Sequence, residues 1–187
     1  MKSTTVALTL TLAFAVLTAA KHASPPYRWP APKAMAIPQA DGYVEIPNAS
    51  VMPRPSRTYR AIFNATEAAD RPSELLPALN NAGSELNILA GTGVPLRNAK
   101  FVVVFHGAAL PALLDDAHYR VKFGVANPNL DVIREMKKAG VELYVCGQNL
   151  AFAHVDPRTL TPDVKVATDA LIVLMHYQND GYAVLEF

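Results

Sequence analysis

Apolar runs and segments of helical periodicity alternate over residues 57–187. The runs at 101–105 and 141–145 are continuous, which is typical of parallel strands that are buried on both faces. Strands that alternate with helices favour a parallel sheet between two helical layers. The pattern therefore predicts one three-layer α/β domain with about five mainly parallel strands, at residues 59–65, 101–105, 141–145, 164–166 and 182–187.

Caps and helix-breaking residues predict four helices between these strands. Asn127 is a favourable N-cap, and Pro128 fits the first helical position after it. Ser73 and Thr168 are candidate N-caps for the first and the last helix. The predicted helices extend from Ser73 to Gly91, over 110–117, from Asn127 to Gly140, and from Thr168 to Gly181.

The N-terminus has the features of a secretory signal peptide. Lys2 precedes an apolar segment at 6–17, and small residues follow at 18–20. The alternative is an uncleaved membrane anchor, but the segment is short for a spanning helix and Lys21 follows it directly. We therefore predict a signal peptide at residues 1–20, a periplasmic or secreted protein, and no stable membrane insertion after cleavage.

Residues 21–56 contain eight of the fifteen prolines of the chain. This density excludes a regular helix and favours an extended chain. The segment is therefore interpreted as a linker, or as an arm that lies on the domain. Within it, residues 43–46 are predicted to add a short strand to the edge of the sheet.

Composition argues against several classes of function. The formal net charge is +1, so no broad electrostatic attraction to nucleic acid or anionic lipid is implied. The single cysteine excludes an intramolecular disulfide and any zinc cluster built on cysteines. The five histidines lack ligand spacing, and neither a dinucleotide-binding GxGxxG nor a P-loop is present. We therefore expect no metal, no cofactor and no nucleic-acid partner.

Two reactive side chains follow predicted strands, where open parallel sheets bind ligands. His106 follows the strand at 101–105, and Cys146 follows the strand at 141–145. A thiol between a strand end and a helix start meets free N–H groups that favour the thiolate. The alternatives are a small buried cysteine and a histidine hydrogen-bonded under a loop. Neighbouring candidate ligand-binding residues are Gly107, Asn127, Gly147, Gln148 and Asn149, although capping already explains Asn127.

Several of these segments resemble the DsrE/DsrF-like family. The similarity rests on HGAAL at 106–110, NPN at 127–129, GVELYVCGQ at 140–148 and the closing Gly181-Tyr182. It implies a flavodoxin-like α/β fold that assembles into homo-oligomers, trimers or hexamers. Some family members pass sulfur as a cysteine persulfide. Cys146 matches the cysteine at the strand end in the family pattern, and His106 matches a histidine common in this subgroup.

Two functions follow from the residues and the resemblance. The first is an exported, sulfurtransferase-like sulfur-relay protein, in which Cys146 carries a persulfide and His106 holds or moves the proton. The second is a non-catalytic module of the same fold that binds a small ligand or a partner, with Cys146 merely lining the cleft. The sequence names neither the sulfane-sulfur donor nor the acceptor.

Overall fold

The computed structural model describes residues 27–187 and contains one five-stranded sheet. The strands are β1 (Tyr59–Ala65), β2 (Ala99–Phe105), β3 (Glu142–Cys146), β4 (Lys165–Ala167) and β5 (Ala183–Glu186). Their order across the sheet is β4-β3-β2-β1-β5, and all four pairings are parallel. The predicted α/β fold with about five mainly parallel strands is confirmed.

Two helical layers of unequal weight cover the sheet. The α-helices are α1 (Pro77–Gly91), α2 (Asp116–Phe123), α3 (Leu130–Lys138), α4 (Gly147–Phe152) and α5 (Ala170–Asn179). Successive strand residues point to opposite faces, so Phe63 and Val103 pack with α1 and α3 in the larger core. Ile62 and Val102 pack with α5 in a much smaller one. We call this second side of the sheet the α5 face.

The structure corrects two of the predicted N-caps. Helix α1 begins at Pro77 with Leu76 in the cap position, so Ser73 does not cap it. Helix α5 begins after Asp169, whose Oδ1 accepts a hydrogen bond from the N–H of Leu171 at 2.7 Å, so the cap is Asp169 and not Thr168. An aspartate caps at least as well as a threonine, which explains the one-residue shift.

The prediction of a helix at 110–117 was wrong. A 3-10 helix occupies Gly107–Leu113 with Pro111 inside it, where the missing N–H is incompatible with continued α-helical hydrogen bonding. Asp115 then caps α2 by accepting a hydrogen bond from the N–H of His118 at 2.8 Å. Capping therefore starts a new helix at the point where the predicted one was expected to end.

Asn127 was also predicted as an N-cap, but α3 begins at Leu130 with Asn129 in the cap position. The side chain of Asn127 instead holds the preceding loop. Its Nδ2 donates to the carbonyls of Ala112 at 2.9 Å and Leu114 at 2.6 Å. Its Oδ1 accepts from the backbone N–H of Asn129 at 2.9 Å, which fixes the turn into the helix.

The proline-rich segment packs on the domain through helix α1. The fully buried Asn87 of α1 accepts the N–H groups of Ala36 and Ile37, each at 2.8 Å. Its Nδ2 donates to the carbonyls of Ile37 and Asp41, each at 3.0 Å. Ile37 is fully buried in the larger core. The segment 27–56 therefore contributes core residues to the domain.

The predicted edge strand at 43–46 does not join the sheet. Tyr43 pairs instead with Lys33 in an isolated antiparallel bridge, through two backbone hydrogen bonds of 2.8 and 2.9 Å. The edge strands of the sheet are β4 and β5. The N–H and carbonyl groups of Tyr43 are thus bonded within the segment and need no partner in the sheet.

The predicted signal peptide at 1–20 lies outside the described residues. Within residues 27–187, no helix combines the length and the apolar character that crossing a membrane requires.

We predict that Asn87→Ala destabilises the protein by about 2 kcal/mol, because it leaves buried N–H and carbonyl groups of residues 36–41 without partners. Urea unfolding measures the change in the free energy of unfolding. Asn81→Ala is the matched control. Asn81 lies on the same helix, and its side chain donates to the carbonyl of Pro77 in that helix and not to residues 36–41. Equal destabilisation by the two substitutions would contradict the role assigned to Asn87.

Candidate functional site

Four polar side chains lie at the carboxyl ends of the strands, on the α5 face: Asn64, His106, Cys146 and Glu186. The pairing of Phe105 with Val145 places the next residues, His106 and Cys146, on neighbouring strands. The pairing of Asn64 with Glu186 extends this edge across β1 and β5. Strand alternation directs all four toward the side covered by α5. The structure thus brings the two predicted reactive residues to one edge of the sheet.

Cys146 ends β3 and occupies the N-cap position of α4. Its Sγ accepts a hydrogen bond from the backbone N–H of Asn149 at 3.4 Å. The thiol in turn donates toward Oδ2 of Asp169 at 3.8 Å. Only 4% of Cys146 is exposed, and it belongs to the small core beneath α5. The thiol is therefore sheltered, with one donor and one acceptor beside it.

Asp169 is the residue of this site that the sequence reasoning missed. Cys146 pairs with Ala167, the last residue of β4. Asp169 is only two residues further along the chain than Ala167. The cap to Leu171 holds one carboxylate oxygen, and the other faces the sulfur. The sequence signal for Asp169 was its position just after the short strand predicted at 164–166 and before an apolar helix. The carboxyl ends of parallel strands lie at the same side of the sheet, so a residue there can lie near the end of β3.

The two groups that contact the sulfur act in opposite directions. A backbone N–H that donates to sulfur stabilises negative charge on it. A carboxylate at 3.8 Å opposes that charge, and it provides an acceptor for the thiol proton. The arrangement therefore places one hydrogen-bond donor and one potential proton acceptor beside the sulfur.

The residues that follow Cys146 connect the site to its neighbours. A Cβ at Gly147 would lie 2.6 Å from the carbonyl oxygen of Ala167, so only glycine allows this approach to β4. The N–H of Gln148 donates to the carbonyl of Thr168 at 3.2 Å. Oδ1 of Asn149 accepts from the N–H of Gly107 at 2.8 Å. These contacts fix the start of α4 between β2 and β4.

Gly107 has a left-handed backbone, with φ of 58°. This conformation favours glycine, and it turns the chain into the 3-10 helix directly after His106. The result is a backbone N–H that points at Asn149 and links the two strand ends that carry the predicted reactive residues.

His106 contacts β1 rather than Cys146. Its Nε2 lies 2.9 Å from Oδ1 of Asn64, and Nδ2 of Asn64 donates to Oε2 of Glu186 at 2.7 Å. Because an amide oxygen only accepts, this contact requires a hydrogen on Nε2. His106 is half-buried, whereas Asn64 is buried. The histidine is thus oriented by a polar chain that runs to β5.

Asn127 is not brought into this group by its contacts. Its amide makes four hydrogen bonds within the loop between the 3-10 helix and α3. With 7% of the residue exposed, it has a structural role in the described chain.

Three tyrosines pack on the α5 face alongside Glu142. The hydroxyl of Tyr144 donates to Oε2 of Glu142 at 2.7 Å and lies 3.2 Å from the hydroxyl of Tyr177. The ring of Tyr182 packs edge-on against Tyr177. Burial raises the pKa of each of these phenols. They therefore stay protonated near neutral pH, and they close the small core that contains Cys146.

A cavity of about 250 Å³ opens beside the site. Cys146 does not line it. Its lining residues come from the 3-10 helix and the residue after it, from α2 and from the chain that follows α4: Gly107, Ala108, Leu110, Pro111, Leu114, Lys122, Ala153 and Val155. Among residues 27–187, no group of three or more histidine, cysteine, aspartate or glutamate side chains is arranged to hold a metal ion.

Comparisons with known proteins agree with this architecture. Two solved structures are similar: MTH1491 from Methanobacterium thermoautotrophicum, a protein of unknown function, and the ychN protein from E. coli. The first is 19% identical, with a TM-score of 0.50, and covers 69% of this chain and 99% of its own. The second is 16% identical, with a TM-score of 0.50, and covers 70% of this chain and 100% of its own. A comparison with curated proteins found no match.

The match to a family model is more specific than these likenesses, which at such identity show the fold alone. The model of the DsrE/DsrF-like family matches residues 59–187, from the first residue of β1 to the end of the chain. The matched region includes every strand of the sheet and both predicted reactive residues. The chain therefore belongs to the DsrE/DsrF-like family.

Proposed function

We propose that this chain is an exported sulfur-relay protein that carries sulfane sulfur on Cys146. The observation that carries the proposal is the position of the thiol. It ends an interior strand, at the carboxyl ends of the strands where open parallel sheets bind ligands, with the N–H of Asn149 and the carboxylate of Asp169 beside it.

The proposed transfer balances without an oxidant or a reductant. The Cys146 thiol first loses its proton, for which Asp169 is the nearest acceptor. The thiolate then attacks the terminal sulfur of a donor persulfide, R–S–SH. A bond forms between Sγ and that sulfur, the S–S bond of the donor breaks, and the donor leaves as the thiolate R–S⁻. The N–H of Asn149 remains as a donor close to the new persulfide.

In this proposal His106 is a polar neighbour of the thiol at the same end of the strands, and the contact of its Nε2 with Asn64 holds the ring. Only 4% of Cys146 is exposed, so access of a donor to the sulfur requires a local opening of the structure around it.

We predict that incubation with polysulfide adds the mass of one sulfur atom to the folded wild-type protein, and that dithiothreitol removes it. Cys146→Ser should abolish the addition, because the chain has no other thiol. Intact-mass spectrometry measures both. Circular dichroism confirms that the serine variant is folded. An unmodified wild-type thiol, with modification only after denaturation, would contradict the relay.

Asp169→Asn serves as a matched variant in the same experiment. Asparagine caps helices about as well as aspartate, so α5 keeps its N-cap while the charge beside Sγ disappears. Iodoacetamide alkylation of Cys146 at fixed neutral pH should then be about three- to tenfold faster, because the thiolate no longer faces a like charge. An unchanged rate would show that the carboxylate does not act on the sulfur.

The second candidate function is a non-catalytic binding module, and the burial of the thiol favours it. Under this alternative, Cys146 packs in the small core and the 250 Å³ cavity beside Gly107 holds a small ligand or a partner side chain. The polysulfide experiment separates the two functions. A bound ligand that persists through purification, without modification of the thiol, would support the module.

Export is the second part of the proposal, and it rests on the N-terminal sequence. We predict that Edman sequencing of the protein isolated from its native host begins near Lys21, because the small residues at 18–20 precede that position. A mature protein that retains residues 1–20 would contradict cleavage and would favour the anchor.

We also propose that the protein forms homo-oligomers through the α5 face. Helix α5 buries only Ala170 and Val173, although most of its length is apolar. Leu171 and Met175 are 60% and 50% exposed, one helical turn apart. Exposed apolar residues grouped in this way are typical of an interface, and cyclic assembly is the commonest way to cover one.

Light scattering of the mature protein at micromolar concentration tests this assembly. We expect a trimer or a hexamer for the wild type and a monomer for the double variant Leu171→Glu, Met175→Glu, because two charges cannot be buried at the interface without partners. Val121→Glu is the control, since Val121 is 88% exposed on α2. A monomeric wild type, or an equal effect of the control, would refute the interface.

A further inference from the structure

A second and larger concave site lies at the other end of the strands from Cys146. It has a volume of about 990 Å³ and opens at the amino ends of β1 and β5, where Arg60 and Ala183 line it. Its other wall is the segment 50–59, which leads into β1. The site is thus separated from Cys146 by the length of the strands, and the proposed sulfur chemistry does not use it.

The lining of this site carries positive charge that no neighbouring carboxylate neutralises. Arg54, Arg57 and Arg60 all line it, and no aspartate or glutamate does. Within residues 27–187, none of the three has a carboxylate within 4.0 Å. Four other arginines are paired locally, in the contacts Arg71–Glu74, Arg120–Asp116, Arg134–Asp131 and Arg158–Asp156. Of the five arginines in residues 27–187 without such a pair, three line this one cavity, and the other two are Arg28 and Arg97.

The segment that carries the arginines is held in place. The N–H of Arg54 donates to the hydroxyl of Tyr59 at 2.7 Å, and the N–H of Arg57 donates to the carbonyl of Arg54 at 2.9 Å. Nδ2 of Asn98 donates to the carbonyl of Pro55 at 3.0 Å. Prolines on both sides of Arg54 restrict its backbone further. Arg54 and Arg57 therefore extend from a constrained turn and Arg60 from β1, which lowers the ordering cost of binding.

We infer that this cavity binds an organic anion that carries two or more phosphate or carboxylate groups. Each guanidinium presents a planar set of donors that matches such groups. The volume lies at the upper end of the range for small-molecule sites, and it exceeds what a single oxoanion fills. Val51, Met52 and Pro53 supply an apolar wall for the carbon skeleton. With a net charge of only +1, the chain as a whole gives no general attraction for anions.

Isothermal titration calorimetry with inorganic tripolyphosphate, compared with orthophosphate, tests the inference on the full chain. We expect one tripolyphosphate per chain, bound about tenfold or more tightly than orthophosphate, because several arginines act together. The triple variant Arg54→Gln, Arg57→Gln, Arg60→Gln should raise the dissociation constant about a hundredfold or more. The triple variant Arg120→Gln, Arg134→Gln, Arg158→Gln removes the same charge from paired arginines and should bind like the wild type.

Two further variants keep the test decisive. The triple variant Arg54→Lys, Arg57→Lys, Arg60→Lys retains the charge but loses the planar donor set, and its affinity should fall between those of the wild type and the glutamine triple. If the glutamine triple fails to fold by circular dichroism, Arg57→Gln alone replaces it. Cys146→Ser should leave binding unchanged, which separates this site from the sulfur site. Absence of saturable binding, or equal loss in both glutamine triples, would overturn the inference.

Discussion

The register of β3 against β4 is the constraint on which the candidate site depends. It pairs Cys146 with Ala167, and the chain then needs only two more residues to reach the carboxylate that faces the thiol. Gly147 makes the register possible, because any Cβ would collide with the carbonyl of Ala167. The sulfur, the N–H beneath it and the carboxylate opposite it are thus placed by backbone pairing.

The two faces of the sheet differ in how much of the core they hold and in which polar residues they carry. The face under α1 and α3 holds most of the core and anchors the proline-rich segment. The α5 face holds a small core, the thiol and the tyrosine cluster, under one helix with an exposed apolar surface. The α1/α3 face therefore contributes most of the stability of the domain. The reactive side chains lie on the α5 face, where local opening disturbs fewer contacts.

The sequence predicted the sheet well because buried parallel strands leave continuous apolar runs, as at 101–105 and 141–145. It also placed His106 and Cys146 correctly at strand ends. Helix starts were less predictable, because competing caps such as Thr168 and Asp169 stand side by side. The partnership of Asp169 with the thiol, and of Asn64 with His106, depends on strand order and register. No local pattern encodes either.

The attachment of the proline-rich segment has a consequence for the order in which the molecule assembles. Asn87 follows its partner Ile37 by fifty residues, so during synthesis the segment emerges long before the helix that receives it. Until then the backbone groups that later bond to Asn87 are exposed to water, and the prolines of the segment hinder collapse into a wrong helix. The first part of the described chain to be made therefore waits for α1 before it can dock.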